Sequence, residues 1–349
     1  MDSIGFGIVG VGVIASFHAR AIAEIPGANL AACFDISSDR SAAFAKEYSC
    51  ISRDTLTHLL SDPAVNTVII CTPSGLHLEP ALAAAASGKH LVIEKPLEIT
   101  TDRCDQIINA AQENNVRLAG IFPSRFSDGA LLIRKALDDG RFGRLTVLDA
   151  SVKWHRSEEY YAQAGWRGTW KLDGGGALMN QSIHAVDLLQ WFSGGISEVS
   201  AYTATLGHQR LEVEDVAVAS VLHISGALGT ITGTTASWPG WAKRIEISGT
   251  GGSAVLEDDR VTRWDFQESR PEDKGILADI EAGEAGTGGA GDPTAIGFEG
   301  HRRQLLDFVQ ALTESREPLV NGIEARKAVA AITAIYRSAE SGERRKPGS

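Results

Sequence analysis

The chain lacks any apolar run approaching the roughly 20 residues that a membrane-spanning helix needs, which argues against an integral membrane protein. It also lacks basic stretches, Arg344-Arg345-Lys346 excepted. With 44 acidic against 33 basic residues, the formal charge is -11. Such a balance disfavours nucleic acid and anionic lipid as partners and leaves a small molecule as the expected one. Cysteine is scarce. Cys33, Cys50, Cys71 and Cys104 have no metal-ligand spacing, and two of them sit in apolar strand-like runs, so they read as reduced core thiols and no metal is expected. A first apolar strand starts directly after Met1-Asp2-Ser3, leaving no room for a signal peptide, and a cytoplasmic protein is expected. There is no internal repeat. What is present is 349 residues with 43% apolar side chains, enough for two domains with sizeable cores.

Residues 4–9 form a short apolar strand and residues 13–24 have helical spacing, so the glycines between them lie on a tight strand-to-helix turn. The turn reads Gly10-Val11-Gly12-Val13-Ile14-Ala15. Gly10 permits the turn, Gly12 lets the backbone approach a pyrophosphate, and Ala15 stands where a third glycine would let helix meet strand. The helix start then faces the phosphates. A second strand, residues 29–34, ends in Asp35, about twenty residues beyond the glycines, where a carboxylate accepts from both adenosine ribose hydroxyls. That favours NAD. Arg40 is placed near the adenine or a 2′-phosphate, which keeps NADP open. Residues 67–71, through Cys71, make a fully covered parallel strand that ends at Thr72 and Pro73, whose turn offers amides and hydroxyls near a nicotinamide ribose. His77 opens the next helix.

The apolar strand Leu91-Val92-Ile93 then runs into Glu94-Lys95-Pro96, placing a lysine at the carboxyl edge of a parallel sheet, where ligands of open α/β folds sit. The proline favours an extended backbone at Lys95 and is a candidate cis residue. The alternation of strands and helices to a sixth strand at 117–122 specifies a doubly wound parallel sheet.

In the second half, residues 145–155, 199–206, 216–223, 228–235 and 244–248 alternate like strands of one large sheet. Residues 156–176 make a long loop rich in aromatic and basic groups, among them Tyr160, Tyr161, Trp166, Arg167, Trp170 and Lys171. Aromatic faces stack on sugar rings, and arginine donates to hydroxyls or a carboxylate; packing between subunits is the competing account. Gly174-Gly175-Gly176 leads into a helical pattern on which Asn180, His184 and Asp187 share one face by their spacing of four and three. Asp187 reads as structural, or as an orienting partner for His184. Residues 272–297 are glycine-rich and acidic, and are expected to form a mobile loop or an arm at a subunit contact. Helices at about 298–314 and 323–342 finish the chain, with His301 as a surface or capping residue.

The glycine turn at Gly10 to Ala15, Thr72-Pro73 with His77, Glu94-Lys95-Pro96, Arg125 after the sixth strand, and Gly140-Arg141-Phe142-Gly143 together resemble the glucose-fructose oxidoreductase and inositol dehydrogenase family, Gfo/Idh/MocA. The resemblance covers essentially the whole chain. It implies an α/β protein with an amino-terminal Rossmann domain, residues 1–124, and a substrate-binding and oligomerisation domain on a large open, mostly antiparallel sheet, residues 125–342, before a loose tail, 343–349. It implies NAD, or NADP, bound by Gly10, Gly12, Val13, Ile14, Asp35, Arg40, Cys71, Thr72, Pro73, His77, Glu94, Lys95 and Arg125. It implies hydride transfer at a ring carbon of a sugar or cyclitol in the cleft between domains, with Lys95 and His184 moving the hydroxyl proton. The family's helix usually carries an aspartate where this chain has Asn180, and an amide orients a group but takes no proton. Trp154, His155, Arg167, Trp170 and Asn180 are the candidates for holding the substrate. The expected assembly is a homodimer or homotetramer. A glycosidase that borrows hydride and a non-catalytic dinucleotide or sugar sensor are the alternative readings.

Overall fold

The computed structural model describes residues 3–283 and 297–348. These form two compact units. The first gathers the described residues up to Pro123, with Lys171–Gly174 and Phe298–Val329; the second gathers Ser124–Trp170, the described part of Gly175–Gly297, and the residues from Ala330 on. Among the described residues, no helix is long and apolar enough to cross a membrane.

The first unit alternates strand and helix: β1 (Ile4–Val9), α1 (Val13–Ala23), β2 (Ala28–Phe34), α2 (Ser38–Tyr48), β3 (Ile51–Ser52), α3 (Leu56–Leu60), β4 (Thr67–Ile70), α4 (Leu78–Ala86), β5 (His90–Ile93), α5 (Thr101–Glu113) and β6 (Leu118–Gly120). The strands order β3-β2-β1-β4-β5-β6, and every pair is parallel. This is the doubly wound sheet expected from the sequence, its order reversing at β1/β4. Val68, Ile69, Ile70, Leu91, Val92 and Ile93 are fully buried, as strands covered on both faces require. Each such side chain contributes about 1.5–3 kcal/mol by leaving water. Ser37 and Thr100 cap α2 and α5 by accepting the amides of Arg40 and Arg103. The start of α1 has no side-chain cap, its N-cap being Gly12.

The second unit contains α6 (Asp128–Asp138), β7 (Leu145–Lys153), α7 (Glu158–Ala162), a π-helical turn at Ala177–Ser182, α8 (Ile183–Ser193), β8 (Ile196–Ala204), β9 (Val216–His223), β10 (Leu228–Thr234), β11 (Arg244–Gly249), β12 (Gly252–Glu257), β13 (Arg260–Phe266) and α9 (Asp273–Ala282). Its sheet orders β13-β12-β11-β7-β10-β9-β8, antiparallel except between β7 and β10. Burial alternates along β9, with Ala217, Ala219 and Val221 covered while Val218 and Leu222 face outward.

Two segments depart from the sequence reading. The hairpin of β12 and β13 was not anticipated, because its two-residue turn is Asp258-Asp259, both at positive φ, where glycine or asparagine would have signalled it. Residues 273–282 are helix rather than loop. Asp273 anchors α9 by accepting from both terminal nitrogens of Arg141, from Trp264 Nε1 and from the amide of Arg270, contacts that composition cannot show. The remainder of that acidic segment, 284–296, lies outside the described residues. Two helices close the fold as expected, α10 (Glu299–Thr313) in the first unit and α11 (Gly322–Ser341), shared by both. Beyond α11, Arg345 exchanges two backbone hydrogen bonds with Val199.

Candidate active site

In the first unit the glycine turn closes β1 onto α1. Gly10 has φ +87, and a Cβ there would stand 2.9 Å from the carbonyl carbon and oxygen of Cys71, so only glycine fits. Around Gly12 a Cβ would meet nothing within 4 Å, leaving open space at the uncapped start of α1, as an anion at a helix amino terminus requires. Asp35 terminates β2 with an anchored carboxylate: Val11 N donates to Oδ2 at 3.0 Å, Ser37 N to Oδ1 at 2.8 Å, and Arg40 Nη2 to Oδ1 at 2.7 Å. Burial pulls its pKa up, but these donors outweigh it and hold the carboxyl below its ordinary value. Arg40 is thus engaged with Asp35. Beside Asp35 a cavity of about 270 Å³ is lined by Phe34, Ile36, Ser38, Ser52, Arg53 and Asp54, and Ile36 is 93% exposed. An exposed aliphatic face beside an anchored carboxylate suits an adenosine, and the residues present fit the dinucleotide that the turn implies.

The ends of β4 and β5 are tied together by His77. Its Nε2 lies 2.9 Å from the carbonyl oxygen of Thr72 and its Nδ1 3.0 Å from that of Pro96. Burial lowers the pKa of this imidazole; the Thr72 and Pro96 carbonyls and the charges of Glu98 and Glu94 act the other way. His77 is therefore a buried brace between two turns and not only the first residue of a helix. The Lys95-Pro96 peptide is cis. The Thr72 hydroxyl donates to Leu76 O, and buried Cys71 has its thiol pushed up by burial. Lys95 is half-buried at the end of β5, while Glu94 points into the unit, where His18 Nε2 lies 2.8 Å from Oε1. His301 is 6% exposed with Nε2 3.7 Å from the same oxygen, which corrects its reading as a surface cap. Lys171–Gly174, the end of the aromatic loop, also belongs to this unit, where Leu172 O accepts the amide of Gly75 at 2.9 Å.

In the second unit Gly175 and Gly176 lead into the π-helical turn. Gly175 has φ +153, and a Cβ on Gly176 would stand 1.9 Å from Glu214 O. The Glu214 carboxylate holds this start by accepting Gly176 N at 2.9 Å, Leu178 N at 2.8 Å and Tyr336 Oη at 2.9 Å. Burial nevertheless pushes its pKa up to about 7. Residues 177–182 wind with the wider π turn, which places Asn180 on that turn and His184 on the first turn of α8. Asp187 sits in α8 and forms a buried two-armed ion pair with Arg125, at 2.8 and 2.7 Å. That gives both residues a structural task, the first of the two readings expected of Asp187.

Asn180 and His184 are half-buried. Gln181 Nε2 donates to Asn180 Oδ1 at 2.8 Å and to Tyr160 Oη at 2.9 Å, while its Oε1 accepts from Arg156 Nε at 3.2 Å. Arg156 lies over the rings of Trp154 and Tyr160, and Arg167 over that of Tyr160 at 4.3 Å. His155 packs edge-on to Trp238, and Trp170, 46% exposed, edge-on to Tyr336. Trp154, His155, Arg167, Asn180 and His184 thus all lie in the second unit, with Trp170. Sequence reasoning passed over His18, Arg156, Gln181 and Glu214. The only sequence signal for Glu214 is an acid interrupting the apolar start of a strand, Val213-Glu214-Asp215-Val216.

Two family descriptions match the chain: "Oxidoreductase family, NAD-binding Rossmann fold" over residues 4–122, and "GFO/IDH/MocA C-terminal domain" over residues 130–255. A WlbA dehydrogenase from Bordetella pertussis, solved with NADH and UDP-GlcNAcA, is 34% identical, with a TM-score of 0.90 over 99% of this chain and 98% of that one. Inositol 2-dehydrogenase from Rhizobium meliloti is 26% identical over 96% of this chain and 97% of its own length. Levoglucosan dehydrogenase, solved with NADH and levoglucosan, shares the fold at a TM-score of 0.86 and 22% identity. With the glycine turn, the anchored Asp35 and the Glu94-Lys95-Pro96 strand end in place, the chain belongs to the Gfo/Idh/MocA family of oxidoreductases, and residues 4–122 are its NAD-binding Rossmann domain.

Proposed function

We propose that this protein is an NAD-dependent dehydrogenase or ketosugar reductase acting on a hydroxyl-bearing ring carbon of a sugar, sugar derivative or cyclitol. The observation that carries the reading is Lys95, held half-buried at the carboxyl end of β5 while His77 binds the following turn, in the unit whose glycine turn and Asp35 suit the dinucleotide. NAD, when bound, supplies or takes up the hydride. Asp35 orients the ribose hydroxyls, and the amides at the start of α1 face the pyrophosphate. Lys95 takes the hydroxyl proton in oxidation and returns it in reduction, with His184 as its partner. Asn180 orients a hydroxyl or the imidazole but accepts no proton, which gives Lys95 the larger share of the acid–base work and favours ketone reduction. Trp154, His155, Arg167 and Trp170 hold the substrate. The guanidinium groups of Arg156 and Arg167 on Tyr160, and the relative solved with UDP-GlcNAcA, make a nucleotide-linked hexuronate the first substrate to try, followed by myo-inositol.

The test is nicotinamide fluorescence with these compounds and their oxidised forms, beside Lys95→Ala. Turnover in that variant should fall by about 10²–10⁴ while NAD binding is kept; unchanged turnover would remove Lys95 from the mechanism. We further propose a cytoplasmic homodimer or homotetramer. The unpaired thiols of all four cysteines and the outward Val147, Val218, Leu222 and Leu228 of the large sheet support this, and light scattering on the full chain tests the assembly.

A further inference from the structure

The first unit contains a buried cluster that the proposed chemistry leaves unused: His18 from α1, Glu94 from the end of β5 and His301 from α10, with side chains 0%, 9% and 8% exposed. A carboxylate so far from water needs strong donors, and its two oxygens have different tasks. Oε1 receives His18 Nε2 at 2.8 Å and faces His301 Nε2 at 3.7 Å. Oε2 accepts the backbone amide of Lys95 at 3.1 Å. The strand ladder explains why this matters. The amide of Glu94 still bonds to Ile70 O, and that of Ile121 to Ile93 O. One residue further, the amide of Lys95 is held by the Glu94 carboxylate, whose direction is set by the two imidazoles.

We propose that His18 and His301 are positioning residues for Lys95, acting through Glu94 to fix the backbone from which that lysine is presented. This rests on the acid–base reading of Lys95. The same helix makes a second tie one turn on, where Gln304 donates to Gly120 O at 2.8 Å and accepts from Phe122 N at 2.9 Å, so α10 fixes the ends of both β5 and β6. Burial would raise the Glu94 carboxyl, but the hydrogen bond with His18 and the nearby His301 imidazole outweigh it and hold the carboxyl well below its ordinary value, while burial lowers the pKa of His18. Cys71 and His77 also feel the Glu94 charge.

Two imidazoles and a carboxylate are also the donor set of a zinc ion, but the geometry points away from one. Tetrahedral zinc at ~2.0–2.1 Å from its ligands sets neighbouring donor atoms about 3.3 Å apart. His18 and Glu94 stand closer, at 2.8 Å, and among the described residues Nδ1 of both histidines has no partner of the kind that orients metal-bound imidazole.

The experiment uses full-length protein with NAD, comparing wild type with His301→Leu, His301→Gln and His301→Asn; glutamine places an N–H near Nε2. Lysines are reductively methylated with ¹³C, the Lys95 signal is assigned with Lys95→Arg, and its titration is followed by NMR. The Lys95 midpoint or chemical shift should move in His301→Leu, by about half a pH unit or more, and return in His301→Gln; His301→Asn replaces the leucine variant should that one not fold. With an active substrate, kcat in His301→Leu should fall at least about tenfold, since displacement by ~1 Å costs up to about 10²-fold, with KM and NAD affinity within threefold. An unmoved Lys95 signal overturns the proposal, as do unchanged kcat alongside lowered thermal stability and a stoichiometric metal in the purified protein. Should Lys95→Ala keep turnover, the acid–base reading fails, and the NMR signal still decides whether His301 positions Lys95.

Discussion

At the scale of single residues, Glu214 gives the sharpest pH signature. Its ordinary pKa of 4.5 is raised to about 7 by burial in the folded chain. The unfolded chain therefore releases this proton first. Between about pH 4.5 and 7 the folded state binds more protons, so stability falls as pH rises through that window and the cost is complete above it. At about 1.4 kcal/mol per pH unit, the gap amounts to about 3 kcal/mol. Glu214→Gln keeps a carbonyl acceptor for Gly176 or Leu178 without the charge. Urea unfolding of both proteins at pH 5, 6, 7 and 8 should give curves that diverge with pH, the variant gaining relative to wild type; parallel curves would show that Glu214 is not protonated in the folded state. Asp35 is the contrasting carboxylate, held below its ordinary value by two amides and a guanidinium that compete with its burial. Glu214 serves structure and Asp35 is proposed to serve a ligand; in the sequence only Asp35 stood out, by its place at the end of the second strand about twenty residues beyond the glycine turn.

At the scale of elements, α8 shows how a buried ion pair fixes a helix that carries candidate chemistry on its first turn. Arg125 and Asp187 are each 1% exposed and doubly bonded. Replacing Asp187 by alanine leaves a buried guanidinium without its carboxylate, and should cost about 3–5 kcal/mol in denaturant unfolding. Arg125→Met with Asp187→Leu should recover most of that loss, because two apolar groups need no desolvation. Failure of the double variant to recover would mean that the pair specifies the local backbone and does not merely fill it. The strands, helices and glycine turn of the first unit were legible because period, caps and β-branched runs are local properties. The π-helical turn was not. Residues 177–192 have continuous helical spacing, and the widening at Ala177–Ser182 is held from outside by Glu214, 36 residues beyond Leu178. Likewise His301 looked like a cap because its partners, His18 and Glu94, lie on other elements. Residues such as Lys95, Asn180 and His184 could be singled out from motifs, whereas contacts between distant residues, such as His77 with Pro96, His301 with Glu94 and Glu214 with Leu178, could not.

At the scale of the whole molecule, cofactor binding and folding share one free energy. Most of the residues proposed to hold NAD lie in the first unit, and the unfolded chain has no organised glycine turn, so NAD stabilises by mass action alone. At 100 times its dissociation constant the expected gain is about 2.7 kcal/mol, visible as a rise in melting temperature that grows with the logarithm of NAD concentration. Because the chain divides into two units, the transition need not be a single step, and the gain belongs to whichever step unfolds the first unit. The Asp35 carboxylate, already anchored by Val11 and Ser37, should discriminate against a 2′-phosphate, which brings like charge up to it. NADP at equal concentration should therefore raise the melting temperature less than NAD. In Asp35→Ala the NAD-dependent rise should shrink, NAD affinity should fall by about 10–100-fold for the loss of one or two hydrogen bonds to a charged group, and the gap between the two cofactors should close. Equal stabilisation by NAD and NADP in the wild type would instead assign Arg40 to the phosphate, releasing it from the 2.7 Å contact with Asp35 when NADP binds.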